Sequence, residues 1–414
     1  MTAWLLFVFG ILSLMATASA LFRFRHPAHA GVLVMPSGWI MGEWPLFHLV
    51  TQMIMAAVLS GGADETRGVI GLAAYVLSWI GLITVRLIQN RARPTAERAL
   101  QAGLGADYLD DLADDRRAVL RTRREGGSAR LPQHFDKSQL VCTENVAYGP
   151  AKRNRLDVYQ PKLADCPLPV ILQIHGGAWV VGHKQQQGQP LLHRLASNGY
   201  VGVSINYRLA PKSKFPDPLI DIKLAIAWVR GNIAEYGGDP NLIILTGGSA
   251  GGHLAALAAL TPNDPTYQPG FEETDTSVVG CIPFYGPSDF TNRFGIRGRT
   301  SSMEQLLRRT SMPGPLQQFP ELYAAMSPIE HVNAEAPPFL IIQGELDVLA
   351  WREENQRFVE ALSGVSSSPV VYWEVPGAQH AFDTLNSLRC SVAVDTCERF
   401  AGWVVARELA RSEP

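Results

Sequence analysis

Residues Gly247-Gly248-Ser249-Ala250-Gly251-Gly252 decide how this chain is read. The apolar run Leu242-Ile243-Ile244-Leu245 precedes them, and His253-Leu254-Ala255-Ala256-Leu257-Ala258-Ala259-Leu260 follows. The first run has the length and composition of a buried strand, the second those of a helix. A serine on a glycine-flanked strand-to-helix turn is a nucleophile elbow of the G-x-S-x-G kind. Such a turn is tight and lifts the hydroxyl clear of the backbone. Gly247 and Gly251 lack the Cβ atoms that would collide across it. The following helix aims its first N–H groups and its positive dipole end at the place where an oxyanion forms. Two other glycine-rich readings fail on their residues. A P-loop needs Lys and then Ser or Thr after its last glycine, where His253-Leu254 stand. A dinucleotide fingerprint needs glycine where Ser249 sits.

A serine hydroxyl is a weak nucleophile without a base, an orienting acid and donors for the oxyanion. Upstream, the strand pattern Pro169-Val170-Ile171-Leu172-Gln173-Ile174 runs into His175-Gly176-Gly177-Ala178-Trp179. This is close to the HGGG-type oxyanion loop of esterases and lipases. Ala178 stands at the third glycine and keeps its N–H. The expected oxyanion donors are therefore the backbone N–H groups of Gly177, Ala178 and Ala250. His175 and Gly176 are read as support for that loop, with His175 a hydrogen-bonding brace rather than the base.

Downstream, Pro338 to Gly344 reads as a buried strand with Asp347 just beyond it, and Pro369 to Val375 as a strand followed by His380. Ser249, Asp347, His380 is the chain order of α/β-hydrolases, and each residue falls past the carboxyl end of a strand. Taken singly, an Asp after a strand usually caps a turn and a loop His is usually polar surface. Order and placement together make these three the expected catalytic set. Glu345 is the rival acid, and Asp383 is expected to cap the final helix.

The stretch from about Val141 to Val405 resembles the hormone-sensitive-lipase branch of α/β-hydrolase esterases, akin to arylacetamide deacetylases and bacterial lipases of that type. The resemblance is carried by the HGGAW loop, Asn206-Tyr207-Arg208-Leu209-Ala210-Pro211, Phe215-Pro216 with Asp221, and Gly237-Gly238-Asp239-Pro240. The elbow, Ser327-Pro328, the Asp347 loop and His380-Ala381-Phe382 complete it. It implies a mostly parallel central sheet with helices on both faces and a cap insertion, here about 286–336. It also implies hydrolysis of carboxylic esters through an acyl-serine intermediate, with no cofactor and no metal. Ala178 departs from the family's frequent glycine. Gly248 departs from a frequent acidic residue. Amide hydrolysis, as in a deacetylase or formamidase, is the enzymatic alternative. A non-catalytic binding protein on the same fold is the other.

The chain has 414 residues, net charge −2 and five cysteines, Cys142, Cys166, Cys281, Cys390 and Cys397. That charge argues against a nucleic-acid partner, and the cysteines show no zinc-like spacing. Cys390 and Cys397 are seven residues apart on an expected helix, about 10 Å along its axis, too far to bridge. Reduced thiols are the expectation, which points to a reducing compartment.

Residues 1–90 differ in kind. Three apolar spans, about 3–21, 45–63 and 68–88, approach the roughly 17–25 residues that cross a bilayer. His48 and Gln52 interrupt the second. Gly31 to Met41 is a shorter apolar stretch suited to the membrane interface. A cleaved signal peptide is the rival for the first span, since Ala18-Ser19-Ala20 resembles a cleavage site, but no Lys or Arg precedes it. Helices that simply cover a soluble enzyme are the other rival. Arg23 and Arg25 follow the first span, Asp64, Glu65 and Arg67 lie between the last two, and Arg86, Arg91, Arg93 and Arg98 follow the third. The positive-inside rule then predicts a multi-pass membrane protein with an outside N-terminus and a cytoplasmic catalytic domain.

Residues 91–140 read as a charged helical linker before the hydrolase domain at 141–414. Its basic cluster, Arg116, Arg117, Arg121, Arg123 and Arg124, suits either lipid headgroups or a solvated helix face, with Asp110, Asp111, Asp114 and Asp115 favouring the latter. The expected partners are a small lipophilic ester and membrane lipids.

Overall fold

A computed structural model describes residues 1–23, 28–110, 112, 140–162, 166–297 and 302–412. Arg25 and the Arg116–Arg124 cluster lie outside them, as does most of the expected linker. The chain divides into two compact units. A helical unit comprises Met1–Ala96, Gly344–Leu349 and Glu374–Val392, and a sheet unit takes the rest.

The sheet is eight-stranded: β1 (Leu140–Ala147), β2 (Arg155–Pro161), β3 (Leu168–Ile174), β4 (Val201–Ile205), β5 (Gly238–Gly248), β6 (Gly280–Phe284), β7 (Phe339–Gly344) and β8 (Val370–Val375). Their order is β1-β2-β4-β3-β5-β6-β7-β8. β1 and β2 pair antiparallel, while β4, β3, β5, β6 and β7 run parallel. This is the α/β-hydrolase arrangement. Every residue of β3 is buried, as expected of a continuous apolar run covered on both faces.

Helices α6 (Gln189–Ala196), α7 (Asp217–Asn232), α8 (Ala250–Leu260), α9 (Ser302–Arg309), α10 (Pro320–Met326), α11 (Arg352–Val365) and α12 (Leu388–Ser412) follow the strands, α9 and α10 within the expected cap. They are preceded by α1 (Thr2–Leu21), α2 (Ala28–Glu43), α3 (Pro45–Val58), α4 (Thr66–Asn90) and α5 (Ala92–Leu104). All of α8 is buried, the mark of a helix apolar around its whole circumference. It starts where β5 ends. Register decides what stands beside it: Ile174 of β3 pairs with Gly247 of β5, and Gly248 pairs with Phe284 of β6. His175 and Ser249 therefore leave adjacent strands at nearly the same level.

In the helical unit, small residues let backbones touch. A Cβ on Gly10 of α1 would come 2.2 Å from the carbonyl oxygen of Gly71 on α4. Further along, Thr17 Oγ1 is 2.7 Å from Ser78 Oγ. Residue numbers rise together on both helices, so α1 and α4 run parallel. Ser78 also donates to Gln52 of α3 at 2.8 Å, while Leu59 clusters with Leu6 and Tyr75, so α3 runs antiparallel to both. Close packing through Gly, Ser and Thr is how helices associate in lipid. The stretch read as interfacial, Gly31 to Met41, lies within α2. α1 and the helical run Thr66–Leu104 are long and apolar enough to cross a membrane. The second expected span is the shorter helix α3 with a 3-10 turn at Ser60–Gly62.

Candidate active site

Ser249 sits between β5 and α8 with φ 57° and ψ −121°. That is a sparsely populated conformation for a residue with a Cβ, and such strain is kept where the surroundings impose it. They do so here. A Cβ on Gly251 would lie 2.1 Å from the Ile174 carbonyl oxygen, and one on Gly247 2.6 Å from the same atom. The Ser249 N–H donates to the Phe284 carbonyl at 3.0 Å.

The His175–Trp179 loop lies against this elbow. A Cβ on Gly176 would come 3.3 Å from Ser249 Cβ. Gly177 and Ala178 both have positive φ, 113° and 52°. Among the described residues, none accepts a hydrogen bond from the N–H of Gly177, Ala178 or Ala250. Three backbone donors thus remain available near a half-buried, strained serine.

His175 is a brace by its contacts. Its Nδ1 donates to Gly176 O at 2.7 Å, and its ring stacks on Tyr207 at 4.4 Å. Arg153 Nη2 approaches Nε2 at 3.5 Å. Both ring nitrogens are engaged, and burial pushes the imidazole down to about 4.

In the helical unit, His380 Nδ1 is 2.7 Å from Asp347 Oδ2. A carboxylate only accepts, so Nδ1 carries a proton here. Asp347 Oδ1 accepts from the Leu349 N–H at 2.8 Å. Glu345, the rival acid, is engaged elsewhere: its Oε2 accepts from the Gly377 N–H at 2.7 Å. The cap expected at Asp383 is supplied instead by Ser387, whose Oγ accepts from Cys390 N–H at 3.1 Å. Asp383 lies in a separate 3-10 turn, Phe382–Thr384, too early to cap a helix that starts at Leu388.

Two features of the site have no local sequence signal. Gln187 accepts from the Gly176 N–H at 2.6 Å and donates to Tyr285 OH at 3.1 Å. A Cβ on Gly248 would lie 2.6 Å from Gln187 Nε2 and 2.8 Å from Tyr285 OH, so this pair fills the space beside the elbow that an acidic residue would need. Trp179, the last residue of HGGAW, donates through its indole to His253 Nδ1 at 3.1 Å. His253 Nε2 in turn donates to Met326 O at 2.7 Å, and burial lowers this imidazole to about 4.

These two imidazoles carry a pH dependence. Each is neutral when folded and titrates far below an unfolded histidine, ordinarily about 6.5. Below that value the unfolded chain binds more protons, so stability falls as pH drops from about 6.5 towards 4. The unfolding midpoint should decline across that window. His253→Gln should flatten the decline, and an unchanged slope would refute the assignment. Among the described residues, no three His, Cys, Asp or Glu side chains come together as a metal site would require.

The BD-FAE family model matches residues 156–362. A "Probable carboxylic ester hydrolase LipM" of Mycobacterium tuberculosis is 38% identical over 384 residues, covering 91% of this chain and 88% of that protein. "Esterase LipC" of the same organism is 39% identical over 344 residues, 83% of each chain. The first match leaves under a tenth of this chain outside it, so it extends into the N-terminal helices. A solved "Truncated form of carbohydrate esterase from gut microbiota" superposes with a TM-score of 0.54 at 24% identity, over 66% of this chain and 100% of that one. At that identity the likeness concerns the fold.

Proposed function

The chain belongs to the BD-FAE family of hormone-sensitive-lipase-like α/β-hydrolases and is a carboxylic ester hydrolase; from that premise we propose that it works through an acyl-serine intermediate on Ser249 and is anchored in a membrane by its N-terminal helices. Ser249 Oγ attacks the ester carbonyl. His380 takes the hydroxyl proton on Nε2 and later returns it to the leaving alcohol. Asp347 holds the ring and stabilises its charged form. The N–H groups of Gly177, Ala178 and Ala250 receive the oxyanion. Water then attacks the acyl-serine, with His380 again as base, and the acid leaves.

The observation that carries this reading is the strained Ser249 at the carboxyl end of β5, with the His175–Trp179 loop against it and the amides of Gly177, Ala178 and Ala250 unengaged among the described residues. Asp347 and His380 follow β7 and β8 of the same sheet. A chain-length series of nitrophenyl esters, run beside the matching anilides, tests the substrate class. Turnover should rise from acetate to medium or longer acyl chains and be far slower on the anilides. Preference for the anilides would replace the ester reading by the amidase one.

Membrane anchoring is supported by what the helical unit leaves uncovered. Leu12 and Met15 of α1, Phe47 and Ile54 of α3, and Leu77 and Ile80 of α4 are all exposed. Apolar surface on this scale marks an interaction with lipid or another apolar partner. The packing of α1 along α4 supports a retained first helix rather than a cleaved signal. Parallel α1 and α4, joined by antiparallel α3, place their carboxyl ends on one side. Arg23, Arg86 and Arg91 lie there, which supports a cytoplasmic assignment for that side. In intact cells the catalytic domain should resist external protease, and the mature chain should retain α1. Digestion from outside would reverse the orientation.

A further inference from the structure

We propose that α1 and α2 are part of the catalytic apparatus, because they hold the loop that carries His380; Trp39 is a positioning residue for that histidine. The proposal rests on His380 being the base.

The loop runs from Pro376 to Ser387, just before Arg389 in the first turn of α12, and helices of the N-terminal region grip it on both sides of the histidine. Gln379, just before His380, donates through Nε2 to the Ser19 carbonyl of α1 at 3.2 Å. Ala381, just after it, accepts from the Trp39 indole of α2 at 3.1 Å. Further along, Trp44 donates to Asn386 O at 3.2 Å.

A buried charge cluster closes the loop. Ser387 Oγ donates to Glu43 Oε2 at 2.6 Å, and Arg389 Nη1 to Glu43 Oε1 at 3.0 Å. Arg389 Nη1 also donates to Gly42 O at 2.7 Å, and its Nε reaches back to Pro376 O at 2.8 Å. The Glu43 and Arg389 side chains are each 1% exposed. From α4, Gln89 donates to the same Gly42 carbonyl at 2.7 Å. Gly42, Glu43, Ser19 and Gln89 all lie near the carboxyl ends of α2, α1 and α4. The seat of the loop is therefore the end of the bundle that the proposed topology puts at the cytoplasmic membrane surface.

Two physical points separate this from ordinary packing. The contacts are directional hydrogen bonds to the residues on either side of His380, so they fix orientation as well as position. Ala381 has φ 60°, a conformation that an alanine adopts only when its surroundings impose it. The Trp39 indole engages the carbonyl of that strained residue. Leu346 N–H donates to Ala378 O at 2.9 Å, which ties the Asp347 loop to the same segment. Base and acid are thus set as one piece. A displacement of about 1 Å at a catalytic group can cost on the order of a hundredfold in rate.

The test uses the full chain in detergent micelles. Trp39→Phe keeps an aromatic ring, though a smaller one, and removes the donor, and Gln379→Ala removes the other grip. Together they should lower kcat on a nitrophenyl ester by about tenfold or more with KM unchanged. Labelling of Ser249 by a fluorophosphonate should slow by the same factor, while the unfolding midpoint moves by only a few degrees. Glu43→Gln is expected to lose more but risks unfolding, because it leaves Arg389 buried without its counter-charge. The Trp39/Gln379 pair therefore carries the decision. An unchanged kcat per labelled site, with loss of activity that only tracks loss of folded protein, overturns the proposal. His380→Ala separates the two layers. If that variant is inactive while the pair keeps full kcat, only the positioning role falls. If His380→Ala retains activity, the base assignment falls and this proposal with it.

Discussion

Replacing Ser249 by alanine is expected to lower ester turnover by about 10⁴-fold or more and to abolish labelling by a fluorophosphonate. The change removes one hydroxyl from a position whose backbone is set by Gly247, Gly251 and the Phe284 carbonyl. It should therefore leave the unfolding midpoint within a few degrees of the parent. Binding of an ester analogue should survive, because the amides of Gly177, Ala178 and Ala250 do not depend on the hydroxyl. Turnover within tenfold of the parent would refute the acyl-serine mechanism, whatever the fold.

Asp347→Asn is expected to cost about 10⁴-fold in kcat, close to the loss from His380→Ala. The reason is tautomeric. The carboxylate holds a proton on His380 Nδ1 at 2.7 Å and leaves Nε2 able to accept one. An amide can present its N–H to Nδ1, which drives the proton to Nε2 and leaves no base. Glu345→Gln, two residues away, is the matched control. Glu345 spends its carboxylate on the Gly377 N–H and should be worth less than tenfold. If Glu345→Gln costs as much as Asp347→Asn, the acid has been misassigned. Losses that do not compound in the double variant Asp347→Asn/His380→Ala would show that the two act as a unit.

The central part of the fold was legible because its determinants are local. A strand-to-helix turn with glycines at 247 and 251 has few alternatives, since any Cβ there strikes backbone. The apolar runs around it are long enough to identify β3, β5 and α8 without knowledge of their partners. The order of Ser249, Asp347 and His380 along the chain reflects strand order in the sheet, which chain connectivity constrains. The apolar spans of the N-terminal region were visible for a similar reason, as hydrophobicity sums along a single helix. The orientation proposed above rests on the arginines placed after the first and third.

Other features depend on residues far apart in sequence, so neither periodicity nor spacing announces them. Gln187 reads as one glutamine in a polar run, yet it holds the Gly176 amide and closes the space beside Gly248. His253 reads as the first polar residue of a buried helix, and only the fold brings it to Trp179, 74 residues away. Proximity to the final helix suggests Asp383 as its cap, but the helix starts at Leu388 and Ser387 takes that task. The same holds for Glu43 and Arg389, 346 residues apart, neither of which carries a local motif. The sequence by itself therefore determined the elbow and the strand ends, and with them the residues proposed as reacting groups, because these follow from local sterics and chain order. Tertiary structure alone decided what steadies those groups. A buried charge or amide is satisfied by whichever partner the completed packing brings within hydrogen-bond reach, and that partner has no fixed distance along the chain.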